Sequence, residues 1–154
     1  MAVESPDLIP TYDVEWTDPK TDWVSTDKFN YSDYNRIKNN LMYLQYLAAD
    51  LNRSFEVTDL GDDIDSYEHL WTATEFNALE TVLDAINDAT ISYDIGSTQT
   101  FESNGPFIMY TELIRIEEAC LNLYTLLLNL YTGRRTLTAV LGFNSLNYFM
   151  NTNP

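Results

Sequence analysis

One cysteine, one histidine and eight basic residues are all that this 154-residue chain offers of three chemically useful groups. A single cysteine, Cys120, excludes an internal disulfide framework. The lone histidine, His69, has no Gly-x-Ser-x-Gly nucleophile in the chain and no cysteine near it in sequence. A Ser-His-Asp or Cys-His site is therefore not written here. Gly-rich phosphate loops and metal-spaced Cys/His sets are missing as well. No apolar run approaches the roughly 20 residues of a membrane span. The opening residues Met1-Ala2-Val3-Glu4-Ser5-Pro6-Asp7 lack the basic and apolar regions of a secretory leader, so a soluble protein is expected. Against 8 bases stand 24 acids, a formal net charge of −16, and no Lys or Arg lies between Ser54 and Ile114. Such a surface repels phosphates, so neither nucleic acid nor an anionic membrane is an expected partner. Cation binding, basic protein partners and DNA mimicry stay open.

A hydrophobic content of 45% and an aromatic content of 14% suffice for one well-packed domain at this length. Its most informative feature is a helix-opening pattern written three times. Phe29-Asn30-Tyr31-Ser32-Asp33-Tyr34 matches Trp71-Thr72-Ala73-Thr74-Glu75-Phe76 and Ile108-Met109-Tyr110-Thr111-Glu112-Leu113. Each copy has a large apolar residue, two spacers, a hydroxyl, an acid and another large apolar residue. The hydroxyl suits the orphan N–H groups of a helix start, and the acid suits its positive dipole end. Helices are expected at about 32–52, 74–89 and 111–131. In each, apolar residues alternate at spacings of three and four: Tyr34, Ile37, Leu41, Leu44, Ala48 and Leu51 in the first, Phe76, Leu79, Leu83 and Ile86 in the second. Leu113, Ile116, Cys120, Leu123, Leu127 and Leu130 repeat the seam in the third.

Around the helices lie less regular segments. Residues 1–28 read as an extended arm, broken by Pro6, Pro10 and Pro19 but bearing Tyr12, Trp16 and Trp23. It lies along its own domain or along a neighbour. The third helix has a second apolar stripe, Leu121, Tyr124, Leu128 and Tyr131, which favours contact with another chain. Ile91 to Ile95 alternates briefly, as a short strand would. Gly133 is placed to end the third helix, and Arg134 to Leu141 has the β-branched alternation of a strand or extended segment. Phe143, Tyr148 and Phe149 stand among asparagines in the tail. The expected organisation is thus an arm (1–28), a three-helix domain (29–133) and a C-terminal strand or extended tail (134–154). The fold class is mainly α.

Reactive groups have plain structural readings. His69 sits at a helix entry, and Cys120 lies on a core seam beside Glu117 and Glu118, which would raise its pKa. The carboxylates Asp59, Asp62, Asp63 and Asp65 do not follow the EF-hand spacing and read as a solvated linker. A glycosidase pair such as Glu117 with Glu118 needs a separation that only tertiary structure supplies. Neither a cofactor nor a metal is expected. Arg134-Arg135 suits the negative end of a helix, or an acidic neighbouring copy.

The stretch Asp18-Pro19-Lys20-Thr21-Asp22-Trp23, followed by Asp27-Lys28-Phe29-Asn30-Tyr31-Ser32-Asp33-Tyr34-Asn35-Arg36-Ile37-Lys38-Asn39-Asn40-Leu41, resembles a segment of virion proteins of tailed bacteriophages and prophages. There a Trp-bearing arm leads into a Phe-Asn-x-x-Asp-Tyr/Leu-Asn-Arg-Ile-Glu-x-Asn helix start; here Lys38 replaces the usual Glu. The resemblance covers about 25 residues and implies a non-enzymatic tail, baseplate, neck or fibre component, made in the bacterial cytoplasm and located in the virion. Its partners would be copies of itself, in a ring or fibre, and other virion proteins. Tyr12, Trp16, Trp23, Leu121, Tyr124, Leu128, Tyr131, Arg134 and Arg135 are the expected interface residues. The alternative is an acidic phage-encoded inhibitor or DNA mimic that covers a basic enzyme site. A carboxylate-based glycan hydrolase is a distant third.

Overall fold

An acid three residues past the N-cap opens each helix. The computed structural model describes residues 9–150, with side chains to residue 141. Helix α1 spans Tyr31–Leu51, α2 Ala73–Ala89 and α3 Tyr110–Met150. In α1 the cap is Asn30, whose side chain accepts from the Ser32 N–H while Asp33 accepts from the Asn30 N–H. In α2, Thr72 and Glu75 form the reciprocal pair. In α3 the Met109 carbonyl receives the first helical bonds, from Glu112 and Leu113. The repeated acid is thus the third residue of each helix, where it completes a capping box or faces the dipole. The hydroxyls expected to cap, Ser32, Thr74 and Thr111, instead lie within the first turn. The cap stands two residues earlier because the acid must reach back to it.

The helices run parallel. At one end Phe29, just before α1, lies 5.2 Å from Trp71, just before α2, and 5.9 Å from Phe107, just before α3. At the other end the Asn52 amide donates to the Ala89 carbonyl at 3.0 Å, and Arg134 donates to the Leu51 carbonyl at 2.6 Å. The expected seams meet in the middle: Ile37, Leu41, Leu44, Leu79, Leu83, Ile86, Ile116, Leu123 and Leu127 are all essentially inaccessible to solvent. Each such side chain contributes about 1.5–3 kcal/mol of burial free energy. The class is therefore mainly α, a three-helix bundle, and among the described residues no β-strand forms.

Parallel helices force each connector to travel back along the bundle, and those extended segments have no sheet to pair with. Helix-borne amides take that role. Asn35 donates to the Ile64 carbonyl and accepts from the Ile64 N–H; Gln45 does the same to Thr58. On α2, Asn77 clamps Phe101 and Asn87 clamps Tyr93. Asn40 clamps Thr17 in the arm. Each side chain satisfies both backbone groups of one residue, as a neighbouring strand would. The clamps that hold the two connectors stand at equal distances from the repeated acid, at two and twelve residues beyond Asp33 and beyond Glu75. Successive clamps hold connector residues in reverse order, so each return segment runs antiparallel to its helix.

Two expectations fail at the chain's ends and turns. Residues Ile91 to Ile95 form no strand: Ile91 lies in the turn that ends α2, Ser92 takes a positive φ of 55°, and Asn87 occupies both backbone groups of Tyr93. The strand expected after Gly133 is helix instead. α3 passes through Gly133 without interruption. One glycine costs a helix only about 1 kcal/mol, and the β-branched residues that follow bond back along it. Thr136 donates to the Thr132 carbonyl and Thr138 to that of Arg134, both at 2.9 Å. Residues 1–8 of the expected arm, residues 151–154, and the side chains of Phe143, Tyr148 and Phe149 lie outside the described residues.

Asn40 is 1% exposed, so its clamp is the best placed to be measured. Asn40→Asp preserves shape but removes the donor and sets a carboxylate against the Thr17 carbonyl. A stability loss of about 1–3 kcal/mol is expected in urea denaturation.

Candidate assembly surfaces

Glu117, two turns into α3, is 1% exposed and receives four hydrogen bonds. Its Oε1 accepts from Trp23 Nε1 at 2.9 Å and from Arg36 Nη2 at 2.6 Å; its Oε2 accepts from the Lys20 N–H at 2.6 Å and from Arg36 Nε at 3.0 Å. Arg36 also reaches Asp33, the capping-box acid, at 3.0 Å. The helix cap, α1, α3 and the arm are thereby joined through one carboxylate. Lys20 stands 4.2 Å over the Trp23 ring and pairs with Asp27, which closes the arm's turn. The resembling segment is thus used almost residue by residue: Phe29 in aromatic packing, Asn30 as cap, Asn35 as clamp, Arg36 as the link to Glu117.

A second ion pair repeats this geometry one helix on. Arg115 stands three residues after the acid Glu112, as Arg36 does after Asp33, and reaches Glu80, five residues after Glu75, as Glu117 is after Glu112. Gly96 lets it pass: a Cβ there would stand 2.8 Å from Arg115 Cδ, and the backbone φ is +77°. Glu80 is nearly inaccessible and its Oε2 has no hydrogen-bond partner. Burial raises its pKa above the usual carboxylate range, and the Arg115 charge offsets only part of that.

The expected interface residues divide in two. The arm lies on its own bundle. Trp23 is 3% exposed, Trp16 stacks on Tyr124 with centroids 4.0 Å apart and planes 7° from parallel, and Tyr12 packs edge-on to Tyr43 at 5.0 Å while donating to Asp50. Tyr43, held by the Pro10 carbonyl, has its pKa pushed up to about 12 by burial and its tyrosine neighbours. The stripe on α3 therefore has an internal partner at Tyr124, whereas Leu128 and Tyr131 are half-buried and Leu121 is 39% exposed. Arg134 caps the C-terminal end of α1 rather than of its own helix, and Arg135 lies over the Tyr131 ring.

Sequence reasoning missed the apolar surface of the α3 extension. Leu126, Leu130, Gly133, Leu137 and Val140 continue a four-three alternation beyond the bundle, and Leu130, Leu137, Val140 and Leu141 are exposed. That rhythm was visible, but the glycine invited a stop. A second apolar surface caps the N-terminal end of the bundle: Tyr67, Leu70, Phe107 and Met109 are exposed around the Phe29–Trp71–Phe76 cluster. Trp71 and Phe76 of this cluster, with Phe101, Pro106 and Phe107, wall a cavity of about 250 Å³.

The reactive candidates are placed simply. His69 Nε2 lies 2.7 Å from Glu75 and its ring packs on Trp71. Cys120 is buried, and desolvation drives its thiol pKa well upward. In the 59–65 segment, Asp63 pairs with the buried Lys38, whose Nζ also holds the Gly61 carbonyl, and Asp59 accepts from the Gly61 N–H. Among the described residues no group of three or more His, Cys, Asp or Glu side chains could hold a metal ion, and no helix is long and apolar enough to cross a membrane.

Glu117→Ala strands Arg36 beside Asp33 alone and releases Trp23. A loss of about 3–5 kcal/mol is expected, with red-shifted tryptophan emission and trypsin cleavage at Lys20. Trp23→Phe keeps an aromatic ring but removes the N–H that bonds the Glu117 carboxylate, so about 1.5–3 kcal/mol is expected. Because Glu80 binds its proton more tightly folded than unfolded, its contribution is complete below its unfolded pKa and falls as pH rises through the folded value. Urea titrations at pH 5 and pH 7 should therefore show wild type losing more stability with rising pH than Glu80→Gln does. Set against protein-family models, curated proteins and solved structures, the chain matches none of them.

Proposed function

We propose that the protein is a non-enzymatic structural component of a tailed-phage virion, of the tail, baseplate, neck or fibre, which assembles with copies of itself and with other virion proteins. The observation that carries this reading is α3. It supplies the third wall of the bundle and then leaves it as an exposed helix bearing Leu137, Val140 and Leu141. An apolar helix standing clear of its own domain is a surface for another chain. The resemblance of the arm and first helix start to virion proteins supports the same reading, since the locked arm makes the bundle a rigid block with defined faces.

A second reading is favoured by one observation: Asp59, Asp62, Asp65, Glu68, Asp94 and Glu102 are exposed in a stretch of sequence without a base. An acidic inhibitor or DNA mimic would present them to a basic enzyme site. Mass spectrometry of purified particles from cells making the protein separates the two. The structural role predicts peptides of this chain in stoichiometric amounts in the particle. Their absence, together with salt-sensitive binding to a nucleic-acid enzyme, would establish the inhibitor instead.

A further inference from the structure

We infer that copies of this chain join head to tail, the α3 extension of one copy docking on the aromatic N-terminal end of the next. The inference rests on the assembly reading above and names its contact. Two apolar surfaces carry it, and they lie at opposite ends of the molecule. The parallel bundle puts all three helix N-termini at one end, where Leu70 is 84% and Met109 60% exposed beside Tyr67 and Phe107. The extension leaves the other end, with Leu137 58% and Leu141 59% exposed. Within one copy the two cannot meet.

Charge selects the occupant. All 24 acids lie at or before Glu118; residues 119–154 carry none and hold Arg134 and Arg135. Among the described residues neither arginine has a carboxylate within ion-pair distance: Arg134 bonds a carbonyl and Arg135 lies over Tyr131. The receiving end is rimmed by the exposed carboxylates Asp65, Glu68 and Glu102, and Lys28, beside Phe29, is the base nearest to it in sequence. Two acidic bodies repel each other, whereas an acid-free, arginine-bearing helix and an acid-rimmed aromatic face attract. From residue 134 to Met150 the helix rises about 25 Å, enough to cross the end of a bundle whose axes stand about 8–10 Å apart. Pairing two extensions side by side would instead bring arginine pairs together and leave both aromatic ends in water. A contact between unlike surfaces repeats, so it closes into a ring or continues as a fibre according to the rotation between copies.

The test uses the full-length chain and light scattering coupled to size exclusion, at about 100 μM, a hundredfold above a micromolar Kd. Wild type is expected to run as multimers that dissociate on dilution. Leu137→Asp with Val140→Asp, and separately Leu70→Asp with Met109→Asp, alter only exposed side chains; both variants should keep wild-type helicity by circular dichroism and run as monomers. Mixed in equal amounts they should form a dimer and nothing larger, because the pair retains one intact junction. A monomeric wild type overturns the inference, as does a Leu70/Met109 variant that still assembles like wild type, which would mark an extension-to-extension contact. The virion role is read separately from the particle: peptides found there beside a monomeric free chain would retire the head-to-tail contact and leave the structural role standing.

Discussion

Everything in this fold follows from three helices pointing the same way. An up-down bundle turns between helices in a few residues, but a parallel one must bring the chain back along its full length each time. The two connectors do so here, the arm lies along α1 in the same sense, and the peptide groups of all three segments lie against helices that have no backbone groups to offer them. Five amide side chains solve the problem, each presenting a carbonyl and an N–H₂ to one residue of the returning chain. Apolar side chains at those positions would have left ten backbone groups to find water inside partly closed grooves. The asparagine content of the helices, unfavourable by intrinsic propensity, is the cost of that connectivity.

Ion pairing adds direction to the same plan. Arg36 reaches from α1 to Glu117 on α3, and Arg115 reaches from α3 to Glu80 on α2. The two bonds use equivalent places in the repeat, and the third is broken because the matching position on α2 is Ala78 and that on α1 is Lys38. Lys38, itself buried, bonds Asp63 and the Gly61 carbonyl of the first connector instead. Buried pairs of this kind contribute little net stability beside apolar alternatives, but removing one partner is costly. They tie α1 to α3 and α3 to α2, and at Glu117 they hold the arm as well.

The helices and their buried faces were legible in the sequence because heptad spacing survives any direction of packing. Tyr34, Ile37, Leu41, Leu79, Leu83, Ile116 and Leu123 are core residues as their spacing requires. Parallelism was not legible, since no local signal distinguishes a long connector that returns from one that wanders. Nor was the two-residue shift of the caps: Ser32 is as good an acceptor as Asn30, and only Asp33 reaching back to the Asn30 N–H decides between them. At the candidate surfaces, aromatic content marked the arm as a contact segment but could not say with what. Trp23 and Trp16 found their partners in Glu117 and Tyr124 of the same chain. The helix beyond Gly133 was misread because β-branched residues resemble a strand until their hydroxyls bond back along a helix.

One continuous helix holds both the arm's anchor and the exposed extension. Glu117 and Leu137 are twenty residues apart on α3, about 30 Å along a single axis. A helix of that length behaves as a rod, so a pull or a tilt applied beyond the bundle acts on the carboxylate that secures Lys20, Trp23 and Arg36. Gly133 sits between them at the rim, with no side chain and nothing packed within 4 Å of where one would be. It is the turn at which the rod bends most easily. The core thus holds one end of a single axis whose other end stands clear, and Gly133 is where that axis is least stiff.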